Sequence, residues 1–246
     1  MSPQARCAAA LLWLLSLAAA AASPVEAPAY VRGEAWNYHE VEGYSRLPLR
    51  SLHREVASVD GGAVRIAERA SRPDAADVSE EWLYSSAGVL AAGSLSERAR
   101  GSLQPALQLL PFPLFEGKTW SQTVVRSDPS SREPRTVTLK GKVLGWETVK
   151  VPVGDFLALK IRREFSLGDQ ETFRTQTRRT EYEWYVPQLK AAARMEIWEQ
   201  SYDHTLPRIL RQFLRDRRFL ELVSFEPGRV GLRPEASAQP TRSVKY

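Results

Sequence analysis

The chain has 246 residues, with 34 basic against 29 acidic side chains for a formal charge of +5 at neutral pH, and one cysteine, Cys7. A lone thiol excludes an internal disulfide and a cysteine-built zinc site. The basic excess rests on 27 arginines against 7 lysines, and Asn37 is the only asparagine; this skew resembles the coding bias of a GC-rich genome, so the charge is no evidence for nucleic acid and no such partner is expected.

Arg6 precedes an apolar run from Cys7 to Ala22, in which Ser16 is the one ordinary polar residue, and small residues then lead into Ser23-Pro24. That order predicts a secretory signal peptide over 1–22, cleaved after Ala22 or after Ala27. An uncleaved anchor is the rival, but a spanning helix needs about 20 residues. Gln4-Ala5-Arg6 lacks the pattern that precedes a lipidated cysteine. The mature chain therefore reads as periplasmic, unlipidated, free of thiols and so of cysteine nucleophiles, and without a membrane span.

Residues 23–33 carry Pro24, Pro28 and Gly33 and read as a flexible lead-in. A single β-rich domain is expected over 34–226. Trp36 and Tyr38 alternate with polar neighbours, and His53–Val59, Asp60-Gly61-Gly62 and Ala63–Arg69 form the clearest hairpin, because glycine supplies the positive φ of a tight turn. A second pair flanks Ala87-Gly88, from Glu81–Tyr84 to Val89-Leu90. Ser71–Ser79, with Pro73 and acidic residues, reads as a loop, and Gly93–Gln108 as a loop or a short helix. Leu109–Phe115 is too rich in proline for a helix and too apolar for water, so an extended strap across the core is expected.

Strands follow over Thr119–Arg126, Thr136–Val151 with bends at Gly141 and Gly145, Phe156–Phe165, Glu171–Tyr185, Ala191–Tyr202 and Phe219–Phe225. Thr205-Leu206-Pro207 before Ile209, Leu210, Phe213 and Leu214 favours a short helix over a strand. The tail 227–246 is polar and reads as disordered. Strands longer than the usual 5 or 6 residues predict one large curved antiparallel sheet, an open barrel or clam with at most one or two short helices.

Few residues carry chemistry. Glu116-Gly117-Lys118-Thr119 lacks the earlier glycine of a phosphate loop, since Phe112 stands there. His39, His53 and His204 are scattered, so no metal site and no cofactor is expected, and there is no Gly-x-Ser-x-Gly elbow. Glu181 and Glu183 share a strand face about 7 Å apart, a spacing open to an acid and base pair; Arg174, Arg178 and Arg194 are available as ion-pair partners instead. Trp82, Trp120, Trp146, Trp184 and Trp198 fall in strands, as does Trp36. Such rows either line a cavity for an apolar or amphiphilic ligand, with arginines meeting an anionic head group, or fill a large core.

Three motifs go together: Gly117-Lys118-x-Trp120; Gly145-x-Glu147-x-Val149-x-Val151-Pro152-x-Gly154-x-Phe156-x-Ala158-x-Lys160-Ile161; and Trp184-Tyr185-x-Pro187. They resemble a family of exported bacterial β-sheet proteins classed as a domain of unknown function, over about residues 30–226. Val153, where alanine is common, and Gln188-Leu189, where Val-Gly is common, depart from it. The resemblance implies an all-β curved sheet, distantly similar in shape to periplasmic lipoprotein carriers, and brings no activity or catalytic residues.

The expected function is thus non-enzymatic: an exported cell-envelope protein that holds a lipid or other amphiphile, or an envelope protein, on a concave sheet. An assembly factor acting through strand edges or the Arg208–Arg218 face, and a hydrolase using Glu181 or Glu183, are the alternatives.

Overall fold

The computed structural model describes residues 23–96, 99–131, 133–168, 170–171, 174–203 and 214–228. Thirteen strands form one antiparallel sheet: β1 (Ala35–Glu42), β2 (Pro48–Asp60), β3 (Ala63–Arg72), β4 (Ala75–Ser86), β5 (Val89–Ser96), β6 (Ala99–Gln108), β7 (Thr119–Ser127), β8 (Arg135–Val151), β9 (Gly154–Ser166), β10 (Gln170–Glu171), β11 (Arg174–Val186), β12 (Ala191–Asp203) and β13 (Leu214–Glu226).

Sequence neighbours pair, except β9 and β10. β9 also pairs with β11, Lys160 facing Trp184, and β13 returns to β1, Trp36 facing Phe225, so twelve strands close a barrel and β10 adds two residues beside β11. The all-β curved sheet read from the sequence is present, and it closes. Closure gives each long strand a neighbour on both sides, although β4 meets β5 only over Leu83–Ser86 and β6 meets β7 only over Ser102–Gln104.

The turns follow their residues. Gly61 and Gly62 take φ 55° and 90° between β2 and β3, and Pro152-Val153 link β8 to β9 with Gly154 at φ 143°. Gly145 sits at a bulge, whereas Gly141 has another use: a β-carbon there would meet the Trp120 indole at 2.1 Å.

Two readings are corrected. Ser71–Ser79 is not a loop, because β3 runs to Arg72 and β4 starts at Ala75; its acidic and small residues are the water-facing part of a paired strand, with Ala70 opposite Val78. Gly93–Gln108 is neither loop nor helix but the end of β5 and all of β6. Leu95, Ala99, Leu103 and Leu107 hold the buried positions, and register shifts at Leu90/Ala92 and Ser94/Ser96 reset the alternation that marks a strand. The short helix expected from Thr205 lies outside the described residues up to 213; from Leu214 the chain is strand.

The strap is where the sequence puts it. Leu114 is fully buried and exchanges backbone hydrogen bonds of 2.7 and 2.8 Å with Val25, so the lead-in packs on the strap. Lys118 Nζ donates to the carbonyls of Pro111 and Pro113, which ties the Gly-Lys-x-Trp motif to this segment. Pro187–Leu189 forms a 3₁₀ turn between β11 and β12, whose Leu189 carbonyl accepts the Trp36 indole N–H at 2.8 Å.

Candidate ligand cavity in the barrel lumen

An eight-stranded barrel has an interior that side chains just fill, and diameter grows with strand number. Twelve strands therefore leave space unless the wall flattens. Alternation along each strand points Tyr38 and Glu40 of β1, Arg50, Leu52 and Arg54 of β2, Glu68 and Ala70 of β3 and Trp82 of β4 to one space, together with Arg179 of β11, Ile197 of β12 and Arg218 and Leu220 of β13. Two cavities lie between them. One, of about 150 Å³, has the aromatic residues Tyr30, Trp36, Tyr38, Trp82, Tyr84 and Tyr185 on its wall, with Leu109 and Leu110 of the strap and the charged side chains of Arg163, Glu181, Glu183 and Lys190. The other, of about 340 Å³, is walled by Arg50, Arg54, Arg72, Arg100, Arg179 and Arg218 with Glu40, Glu68 and Glu80. Arg54, Glu68, Trp82, Arg179 and Ile197 belong to both walls.

The charges are paired. Arg54 Nε donates to Glu68 at 2.6 Å, and its guanidinium lies 5.3 Å from the Tyr38 ring centroid and 5.1 Å from that of Trp82. Arg218 reaches Glu40 at 3.3 Å and Glu199 at 3.1 Å, and Arg50 donates to Glu40. Arg163 lies 2.9 Å from Glu181 and 2.5 Å from Glu183, while Arg179 Nε donates to Glu181 at 2.6 Å. Burial pushes the Tyr38 and Tyr84 hydroxyls well above the ordinary tyrosine range. Burial also opposes charge on Arg54, but Glu68 outweighs it and the guanidinium stays charged.

Glu181 and Glu183 are the sequence's candidate acid and base. Both are buried and both are engaged, with Arg163 and Arg179 as partners in place of Arg174, Arg178 or Arg194. Burial alone would raise the Glu181 carboxyl, yet Arg179 and Arg163 hold it below the ordinary value. A general acid needs the opposite shift.

The five tryptophans separate. Trp82 lines both cavities, and its indole N–H is buried with no acceptor among the described residues. The other four belong to neither lining. Trp120 donates to the Gln108 carbonyl at 2.9 Å, and Trp146 packs against the cluster of Leu114, Val143 and Ile161. Trp184 donates to Glu147 beneath Lys160 and Arg194, whose charged groups stand 4.7 and 5.3 Å from its ring. Trp198 donates to Glu196 at 2.8 Å and is covered by Arg217. Trp36, which the sequence placed in the same strand row, lines the smaller cavity, and sequence reasoning missed Tyr38 and Tyr84 as lining residues, and Arg54, Glu68, Arg163, Arg179 and Arg218 as an inward charged set. The signal was there in β2: Arg50 and Arg54 share the face of Leu52 and Val56, a charge in an otherwise apolar phase.

Among the described residues no three of His, Cys, Asp and Glu cluster as metal ligands, and no helix is long and apolar enough to cross a membrane. The outward positions of β8 and β9 include Lys140, Lys142, Arg162 and Glu164, where a lipid-facing barrel carries an apolar band.

No family model matches the chain, and no curated protein matches it. Solved structures do. A candidate lipoprotein from Parabacteroides distasonis is similar at 12% identity with a TM-score of 0.48, covering 80% of this chain and 96% of that one. A candidate exported protein with a YmcC-like fold from Bacteroides fragilis is similar at 13% identity with a TM-score of 0.43, over 83% and 100%. The hypothetical lipoprotein YmcC from Escherichia coli is similar at 10% identity with a TM-score of 0.43, over 82% and 90%.

Proposed function

We propose that this chain is an exported, non-enzymatic cell-envelope protein that holds an amphiphilic molecule inside the barrel. The observation that carries the reading is the shared wall: an aromatic space continues past Trp82 and Arg54 into an arginine-lined one. Concave, largely apolar spaces with a few placed polar groups are the usual form of a small-molecule site. The larger cavity, at about 340 Å³, falls within the usual range of such sites. Export rests on the charged, apolar and small-residue order of Arg6 to Ser23.

The alternatives have less behind them. An assembly factor offering strand edges needs a long open edge, and β1 to β9 and β11 to β13 each have a neighbour on both sides, with unpaired stretches such as Ala75–Trp82 of β4 confined to part of a strand. A hydrolase needs one of Glu181 and Glu183 protonated or free to act as base, and arginines hold both.

Native mass spectrometry of protein purified from the cell envelope, with an organic extract of the same sample, tests the reading. An adduct that disappears on denaturation and reappears in the extract is expected. A ligand-free spectrum with an empty extract would contradict it.

A further inference from the structure

The two cavities differ in what an entering molecule meets first. In three ion pairs of the larger cavity the guanidinium is the more exposed partner: side-chain exposure is 19% for Arg50 against 1% for Glu40, 20% for Arg54 against 10% for Glu68, and 50% for Arg100 against 17% for Glu80. The carboxylates sit behind their arginines. Around this space stand six guanidinium groups and three carboxylates, and the acids that also hold Arg179, namely Glu181 and Glu199, are not part of the lining. An arginine carries five N–H donors in a rigid fork, and Arg54 gives Glu68 its Nε. A pair made through one edge keeps the rest of the fork for a second anion.

The depth of the site sets the other half of the ligand. Arg54 lies over the rings of Tyr38 and Trp82, at the junction with the aromatic cavity, so a head group held by its guanidinium has its chain directed along those rings. Resting on the lumen reading above, we infer that the ligand is an oxyanion-headed amphiphile, a carboxylate or phosphate on an alkyl chain. The head group sits among Arg54, Arg100 and Arg179, and the chain passes Trp82 into the aromatic cavity. A cationic head meets guanidinium first and is repelled. A neutral head gains no charge-assisted hydrogen bond from the guanidinium groups.

Displacement of neutral N-phenyl-1-naphthylamine from the purified full chain at low salt tests this, using decyl phosphate, decanoate, decanol, decyltrimethylammonium and inorganic phosphate, all as monomers. Decyl phosphate or decanoate is expected to bind about 30-fold more tightly than decanol, the worth of one or two hydrogen bonds to a charged group. Whichever of the two is tighter identifies the oxyanion, and decyltrimethylammonium is expected to bind weakest. The paired variant Arg54→Gln/Glu68→Gln, which removes both charges together, is expected to bring that ratio below about 5-fold while decanol stays within about 2-fold of its original affinity. Arg100→Gln changes a half-exposed side chain and provides a second readout if the paired variant does not fold, with an expected loss of about 3-fold for the anion alone.

Equal affinity for decyl phosphate, decanoate and decanol would overturn the head-group inference and leave the lumen reading standing. Failure of every alkyl compound to bind would overturn both. Inorganic phosphate binding as tightly as decyl phosphate would show an anion site without a chain site, and would overturn the amphiphile as well.

Discussion

Strands β5 to β9 fill their inward side in one way and strands β1 to β3 with β11 to β13 in another. In the first region Leu90, Leu107, Val137 and Leu139 are fully buried, with Leu103, Val124 and Phe165 nearly so. In the second, Glu40, Glu68, Glu181, Glu183 and Arg218 are as deeply placed, beside the two cavities. The apolar packing stabilises by removing carbon from water. The ion pairs do not earn the same argument: desolvating two charges can cost as much as their attraction returns, and apolar replacements of such pairs are often neutral or better. Charge and open space are concentrated beside β1 to β3 and β11 to β13, with Arg100 of β6 and Arg163 of β9 reaching in from the other region, which points to a use other than stability for the charged set.

The largest expected effect separates the two halves. Arg163→Met leaves Glu181 and Glu183 without one of their guanidinium partners and is expected to cost about 3–5 kcal/mol, read by urea or guanidinium unfolding. Leu139→Ala in the dry half is expected to cost about 3 kcal/mol through a cavity, and to leave amphiphile binding unchanged because Leu139 belongs to neither cavity wall. Equal loss of binding in both variants would mean that the halves are not separate. Outside both, Gly154→Val forces a branched side chain to φ 143° at the β8–β9 corner, and about 1–3 kcal/mol is expected by thermal unfolding; an unchanged melting temperature would show the corner to be tolerant.

Acid probes the charged set through Glu181, with a smaller effect. Glu181 is held below the ordinary glutamate value of 4.5 in the folded chain. Its contribution is therefore fully present above pH 4.5 and is lost as pH falls from there through the lower folded value. Glu181→Gln is expected to flatten that part of the stability profile, whereas Leu139→Ala shifts the whole profile without changing its slope.

The repeating features of the sequence carried the architecture. Glycine turns at Gly61-Gly62 and Gly88, the Pro152–Gly154 corner, the apolar strap and the Trp-Tyr-x-Pro turn all lie where their residue chemistry puts them. From Phe156 to Ile161 β9 carries apolar residues on both faces, and Ala158, Leu159 and Ile161 are fully buried, though Leu157 remains 60% exposed. β6 was hidden because bulges shift the period and Gln104-Pro105 interrupts a run whose buried positions are still Ala99, Leu103 and Leu107. The site was less legible for a physical reason. A tryptophan in a strand reads the same whether it faces the lumen, as Trp82 does, or packs elsewhere on the wall beneath arginine and lysine, as Trp184 does. Closure of the sheet decides between them, and closure depends on the pairings of β13 with β1 and of β9 with β11, which no local pattern announces.

The central claim is that the lumen is a ligand site, and a crystal structure of the full mature chain grown with decyl phosphate tests it most directly. The account predicts the phosphate within hydrogen-bond distance of Arg54 and the alkyl chain between Tyr38, Trp82 and Tyr84. A lumen holding only water, with the compound absent or bound on the outer face, would contradict it.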